Sequence, residues 1–230
     1  GLHQLIGSFV LPAAGFGGAF LIIFVVYIIS TRSGRVNIQT MLLTGVMVSF
    51  IASSSMMLLM AVTSSENLHG IIFWIMGSLD EPDMSLIYIT LILSVSALIL
   101  SYLFVQPLNA LRLGEEKAKH LGINTDLAIK LLFLMASLLA GVSVAVAGVI
   151  GFVGLIIPHL MRLLFGTDYR ILLISSFLSG AIFLVVSDVI ARTIISPNEL
   201  PIGVITGIAG GIAFLIMISH RSIRSINRSR

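Results

Sequence analysis

The chain has 230 residues, of which 57% are hydrophobic and only 10% charged. Soluble domains carry roughly 25% charged residues, so this composition excludes a soluble globular domain and predicts an integral membrane protein. The net charge of +3 comes from basic residues scattered between apolar runs, which is typical of a membrane protein with positive cytoplasmic loops. Nucleic acid is therefore not an expected partner. A β-barrel is not expected either, because its strands alternate in polarity over about 10 residues.

In chain order, uncharged runs predict one membrane-spanning helix each at 5–30, 36–65, 84–111, 171–187 and 201–219. A further run, 131–161, contains 31 residues without formal charge. One crossing needs about 20 apolar residues, so this run is too long for one helix and short for two. Its glycines favour two short helices of about 16–17 residues each, with a turn near 148–151.

The distribution of Lys and Arg decides how 131–161 is threaded. As one span, the run splits the thirteen basic residues seven to six between the two sides. As two spans, it puts twelve on one side and leaves only Arg192 on the other. Basic residues in short loops mark the cytoplasmic side. We therefore expect an all-α, polytopic protein with seven spans, an external amino terminus and a cytoplasmic carboxyl terminus.

Three features between or within the spans allow two interpretations each. The longest cytoplasmic connection, 107–126, contains a helix-compatible piece, Glu115–His120, with Glu115 four residues before Lys119; it is a docking element or a solvated loop. Asp188 and Arg192 share one helical face. They form a local ion pair, or Arg192 is an exposed cationic anchor for an acidic partner. The last span has small residues at helical spacing, which serve helix packing or line a pore: Gly203, Gly207 and Gly211.

Enzyme signatures are missing from the sequence. It has no phosphate-binding Gly-Lys-Ser/Thr loop, no His-Glu-x-x-His and no Gly-x-Ser-x-Gly. We therefore expect no catalytic residues, no metal ligands and no cofactor bound by this chain. The segment 71–79 is compatible with a short surface helix or with a plain loop.

Four segments, in order and with matching spacing, resemble the permease family of cobalamin, haem and ferric-siderophore ABC importers: 114–123, 141–170, 187–192 and 199–211. The most specific part is the run 151–162 followed by 167–170. Segments 35–50 and 73–79 resemble the family's middle portion.

The resemblance implies a ten-helix permease that forms a homodimer in the cytoplasmic (inner) membrane. Its partners would be two cytoplasmic ATPase subunits, which hold ATP and Mg²⁺, and one extracytoplasmic substrate-binding protein. Residues 1–230 would then be a single transmembrane domain holding seven of the ten helices, without the first three. The segment 107–126 within it would be the cytoplasmic coupling segment.

The resemblance also implies roles for particular residues. Arg192 would receive a carboxylate from the binding protein. The second and seventh spans would border the translocation path, with Thr44, Gly45, Gly203, Thr206 and Gly207. The ATPase-coupling residues would be Gly114, Glu115, Glu116, Lys117, Ala118, Lys119, His120, Leu121 and Gly122.

Two other classes fit part of the pattern. A secondary transporter would need a charged site at mid-membrane, and the first four full-length runs have no charge at their centres. A seven-helix receptor matches the topology, but a retinal protein would need a lysine in the last span, which has none. The substrate within the permease family is open; Trp74, Met76 and Gly77 resemble iron-chelate members more than cobalamin members.

Overall fold

The computed structural model describes residues 2–32, 35–36, 38–80, 83–195 and 199–228. Within these residues the protein is all-helical apart from one pair of two-residue strands, which confirms the predicted all-α class. The elements are α1 (Leu2–Ser30), β1 (Thr31–Arg32), β2 (Arg35–Val36), α2 (Ile38–Val62), α3 (Ser65–Met76), α4 (Met84–Leu103), α5 (Val105–Leu111), α6 (Glu115–His120), α7 (Thr125–Ala147), α8 (Val153–Phe165), α9 (Tyr169–Thr193) and α10 (Ile202–Arg228).

Five of these helices, α1, α2, α4, α7 and α9, are long and apolar enough to cross a membrane. Two more, α8 and α10, contain shorter apolar stretches, Val153–Phe165 and Ile202–Met217. The chain divides into two compact units. The first contains the described residues up to Ile72 and from Asp83 to Val146, and the second contains Phe73–Asp80 and the described residues from Ala147 onward.

In the first unit, α1 and α2 form a helical hairpin. The short strands between them pair antiparallel, with Thr31 opposite Val36. Helix α7 approaches α1 through Gly141, where an added Cβ would lie 3.3 Å from the Cβ of Ala19. The α1–α7 approach is therefore close enough that a small residue is favoured at this position.

The uncharged run 84–111 is not one helix, contrary to the simplest interpretation of the sequence. Helix α4 ends at Leu103, and α5 begins at Val105 after a break at Phe104. Pro107 explains the break, because in a continuous helix its ring would clash with the carbonyl of Leu103 and it has no N–H to donate. In the first turn of α5 the missing N–H costs nothing.

In the second unit, α8 and α9 form a helical hairpin against which α10 packs. Ile157 and Met161 of α8 and Leu172 of α9 form its buried core. Gly166 ends α8 at a φ of +86°, a conformation that favours glycine. Two residues later, the carboxylate of Asp168 accepts a hydrogen bond from the backbone N–H of Arg170 at 3.0 Å and caps α9.

The prediction that 131–161 forms two helices with a break near 148–151 is confirmed, since residues 148–152 are not helical. The predicted lengths were wrong, because α7 has 23 residues and α8 has 13. Helix α7 starts before the uncharged run, at Thr125, where the side chain of Asn124 accepts a hydrogen bond from the N–H of Leu127 at 3.1 Å. This cap places Asp126 and Lys130 inside the helix.

Candidate functional site

The short helix α6 is bounded by two glycines with left-handed backbone. Gly114 has a φ of +104° and Gly122 a φ of +80°. Residues that carry a side chain rarely adopt either backbone conformation. The backbone N–H of Ile123 donates back to the carbonyl of Ala118 at 3.2 Å and closes the helix. The predicted pairing within it is confirmed, with Lys119 Nζ 2.6 Å from Glu115 Oε1.

Of the nine predicted coupling residues, one is buried and eight are exposed. The side chain of Ala118 is completely buried, so a partner would meet this helix through its other residues. The other eight are exposed and form one charged surface with an apolar edge at Leu121, which is 63% exposed. Contact of this surface with an ATPase stays a prediction.

Three backbone segments of the second unit meet at a close junction. The N–H of Ser78 donates to the carbonyl of Ala147 at 3.0 Å, and the N–H of Val149 donates to the carbonyl of Ile75 at 3.3 Å. These bonds tie the end of α3 to the break between α7 and α8. At Gly148, which has a φ of +71°, an added Cβ would overlap the carbonyl oxygen of Trp74. We call this arrangement the backbone junction, formed by residues 74–78, 147–149 and Gly203.

Gly203, at the start of α10, completes the junction. A Cβ here would overlap the carbonyl oxygen of Met76 and would lie 3.2 Å from that of Val149. One turn later Thr206 is fully buried, and its hydroxyl donates to the carbonyl of Gly203 at 3.3 Å. Gly203 and Thr206 are therefore enclosed by the second unit. This agrees with the interpretation that the glycines of the last span serve helix packing. Gly207 has nothing within 4 Å of an added Cβ.

The predicted path residues on α2 lie in a different setting. Gly45 lines a cavity of about 530 Å³ in the first unit, together with Ser49 of α2, Val26 of α1 and Phe133 of α7. The hydroxyl of Ser49 donates to the carbonyl of Gly45 at 2.8 Å, so the wall it presents is largely apolar. Thr44 beside it is partly buried. A role in a translocation path stays a prediction for all five residues named for it.

Arg192, in the last turn of α9, is held by two carboxylates. Its Nε donates to Asp188 Oδ2 at 2.8 Å, one turn earlier on the same helix. Its Nη2 lies 4.0 Å from Asp80 Oδ1. The local ion pair expected from the spacing is therefore confirmed. The arginine side chain stays 36% exposed, so part of the guanidinium remains open to a partner.

Sequence reasoning missed three residues that shape the second unit. Nothing in the sequence connects Asp80 with Arg192, which it faces in the structure. Gly210 was passed over in favour of Gly207 and Gly211, yet an added Cβ at Gly210 would overlap that of Phe152. Phe152 itself caps α8 with a φ of +67°, the one non-glycine residue with positive φ among those the structure describes. Only the double glycine 210–211 gave a signal in the sequence.

Across residues 2–32, 35–36, 38–80, 83–195 and 199–228, no group of three or more His, Asp or Glu side chains is placed to share a metal ion.

The fold, with five helices long and apolar enough to cross a membrane, defines a polytopic helical membrane protein. The model of the FecCD transport family matches residues 2–220, so this chain belongs to the FecCD transport family. A solved structure of an ABC transporter of the metal-chelate type, in an inward-facing conformation, superposes with a TM-score of 0.78 at 28% identity and covers 91% of this chain and 73% of that one.

Three similar proteins are each longer than this chain. The chain is 40% identical to the uncharacterized ABC transporter permease protein YvrB of Bacillus subtilis, over 98% of its own length and 65% of that protein. It is 35% identical to the hemin transport system permease protein HmuU of Yersinia pestis, over 96% and 64%. It is 38% identical to the cobalamin import system permease protein BtuC of Halobacterium salinarum, over 94% and 57%. The chain thus spans less than two thirds of the length of each.

Proposed function

We propose that this chain forms the transmembrane permease part of an ATP-driven importer for an iron chelate (a ferric siderophore or haem) or for cobalamin. The observation that carries the proposal is α6, an exposed, charged, glycine-bounded helix between the two candidate spans α4 and α7. The names of HmuU, BtuC and the metal-chelate transporter refer to hemin, cobalamin and a metal chelate, and the ferric siderophore comes from the family resemblance. The decisive assay is uptake of labelled haem, ferric siderophore and cobalamin by the full-length permease with its ATPase and binding protein.

Coupling to the ATPase would occur through the exposed face of α6. The chain contains no cysteine, so a single introduced thiol reports its own position. Lys117→Cys, on the exposed face, should cross-link to the ATPase subunit through a short bifunctional reagent. Ala118→Cys is the matched control, since its side chain is buried and should not react. Equal capture at both positions, or at neither, would contradict a coupling role for this face.

A homodimer with a central path would cover surfaces that this chain leaves open. Helix α2 has no buried residue along its 25 residues, although its mean hydropathy is 2.0. An apolar helix in a membrane meets either lipid or another helix. We assign part of this surface to a second copy. Phe50→Cys, at a position 68% exposed, should form a disulfide-linked dimer in membranes, whereas Ile182→Cys on α9, which is 64% exposed but is not assigned to the second copy, should not.

Seven spans, with the carboxyl terminus in the cytoplasm, follow if the short helices α8 and α10 cross the membrane as well as the five long ones. Helix α8 spans only about 20 Å at 1.5 Å per residue, so its ends would lie below the lipid headgroups and need protein cover. Val149→Cys, at the break before α8, should be labelled from outside. Thr167→Cys, after α8, should be labelled only from the cytoplasm. Labelling of Thr167→Cys from outside in intact cells would contradict this threading.

We assign docking of the binding protein to Arg192. In the seven-span threading it is the one Lys or Arg residue on the outer side of the membrane. Arg192→Glu should weaken association of the binding protein, and the remaining affinity should depend less on salt, because exposed charge pairs are screened. Association unchanged at low salt would contradict this assignment.

A further inference from the structure

The two carboxylates that face Arg192 bind different edges of its guanidinium. Asp188 accepts from Nε, and Asp80 faces Nη2. Asp188 is 23% exposed and lies one turn away on the same helix, whereas Asp80 is 77% exposed and belongs to the segment that follows α3. The arginine is thus held by one carboxylate of its own helix and one from outside it.

The two contacts differ in strength. A hydrogen bond of 2.8 Å between ionised groups, partly shielded from water, is among the stronger polar contacts in proteins. A pair at 4.0 Å whose carboxylate is mostly in water contributes little, since exposed ion pairs are worth about 0–1 kcal/mol. A carboxylate arriving from solvent would therefore displace Asp80 and leave Asp188 in place.

On the side toward α3, the segment that carries Asp80 is anchored in the backbone junction. Ser78 is tied to Ala147 in the backbone junction, and Gly77 is packed so tightly that an added Cβ would lie 3.0 Å from the same carbonyl oxygen. Past that anchor, Asp80 is held by its N–H to the hydroxyl of Ser78 at 3.0 Å and by Arg192. Losing the contact with Arg192 would leave Asp80 with the bond to Ser78 and so loosen residues 79–80 without disturbing the junction.

We propose that Asp80 is an intramolecular competitor for Arg192. It occupies the outer edge of the guanidinium until a carboxylate of the binding protein replaces it, while Asp188 keeps the guanidinium oriented as a positioning residue. The inference rests on the proposed docking role of Arg192. It implies that docking releases residues 79–80, and that the affinity of docking is limited by a contact within the permease.

The test measures binding of the cognate binding protein to the full-length permease, assembled with its ATPase in lipid nanodiscs at low salt. Asp80→Asn keeps the size of the side chain and removes its charge, so it should tighten binding about two- to fivefold, in line with the energy of an exposed ion pair. The gain should vanish in an Arg192→Ala background. Glu199→Gln is the matched control, because Glu199 lies near enough to act on Arg192 through space but makes no contact within 4.0 Å.

Each outcome decides between the proposals. If Arg192→Ala binds as well as the unaltered protein, the docking role itself is wrong. If Arg192→Ala weakens binding but Asp80→Asn leaves it unchanged, docking stands and the competition is wrong. Tightening by Asp80→Asn that persists without Arg192, or that Glu199→Gln reproduces, would indicate a general effect of charge and overturn the competition.

A second measurement follows the release directly. A spin label at Leu79→Cys, a position 36% exposed, should be restrained in the undocked complex and gain mobility when the binding protein docks. With Asp80→Asn in addition, the label should be mobile before docking. A label whose mobility is the same in all three states would overturn the release of residues 79–80.

Discussion

Replacing Gly148 by alanine should destabilise the second unit far more than the same change at Gly151, three residues later in the same break. The two glycines look alike in the sequence. In the structure, Gly148 has a φ of +71° and its added Cβ would overlap the carbonyl oxygen of Trp74 and lie 2.8 Å from the Cα of Gly77. Gly151 has no positive φ and nothing within 4 Å of its added Cβ.

The magnitude at Gly148 has two sources. An alanine in the left-handed region costs about 1–2 kcal/mol. The overlap is with backbone, so it is relieved only by moving the end of α3 away, which lengthens the hydrogen bonds of Ser78 and Val149 across the junction. At about 0.5–1.5 kcal/mol for each bond, Gly148→Ala should lower the free energy of unfolding by about 2–5 kcal/mol. Gly151→Ala should change it by less than about 1 kcal/mol, or raise it slightly by reducing the entropy of the unfolded chain.

Both variants are measured in the purified full-length permease by thermal denaturation in detergent, with protease sensitivity of the 73–80 segment as a second readout. Gly148→Ala should lower the apparent Tm clearly and expose the segment to cleavage, and Gly151→Ala should do neither. Equal effects at the two positions would refute the claim that backbone contact at the junction, and not the flexibility of glycine in a turn, makes Gly148 necessary.

Three further changes probe the packing of α8, α9 and α10. Gly210→Ala should destabilise by about 1–3 kcal/mol, because the added methyl group overpacks against Phe152, while Gly207→Ala, which has open space, should be neutral in the same denaturation assay. Asp168→Ala should cost about 0.5–2 kcal/mol through loss of the α9 cap, and Asp168→Asn, which retains an acceptor, should recover most of it. Tyr169→Phe should cost less than about 1 kcal/mol, because its hydroxyl contact with an exposed guanidinium is 3.3 Å long; a larger loss would mean that this contact was undervalued.

Much of the fold follows from hydropathy alone. Uncharged runs locate α1 and α2 within three residues, because a membrane helix needs an apolar length and little else, whereas α9 continues six residues past its run, through Asp188 and Arg192. Helix boundaries inside polar sequence are not readable this way. Capping by Asn124 extends α7 beyond the uncharged run, and Pro107 cuts α4 short; both effects depend on one residue and its geometry.

The candidate site was predictable where its contacts are local in sequence. The pairs Glu115–Lys119 and Asp188–Arg192 are each four residues apart on one helix, so helical spacing is sufficient to find them. The contact of Asp80 with Arg192 joins residues 112 positions apart, and no periodicity connects them. The buried side of α6 at Ala118 was likewise hidden, because six residues are too few to define an apolar face.

The most specific stretch of the family resemblance has a structural explanation in the second unit. Within 151–170, Gly166 ends α8, Asp168 caps α9, and the guanidinium of Arg162 lies 5.9 Å from the centre of the Tyr169 ring. These residues hold the α8–α9 hairpin together by contacts within this chain. Likeness in this stretch therefore identifies the fold and carries little information about the substrate. Differences between relatives with different cargo should lie instead at positions free of such packing, such as the wall of the α2 cavity around Gly45 and Ser49. Exchanging those positions between the haem and cobalamin relatives should therefore alter substrate preference more than exchanges within 151–170, and the reverse result would contradict this reasoning.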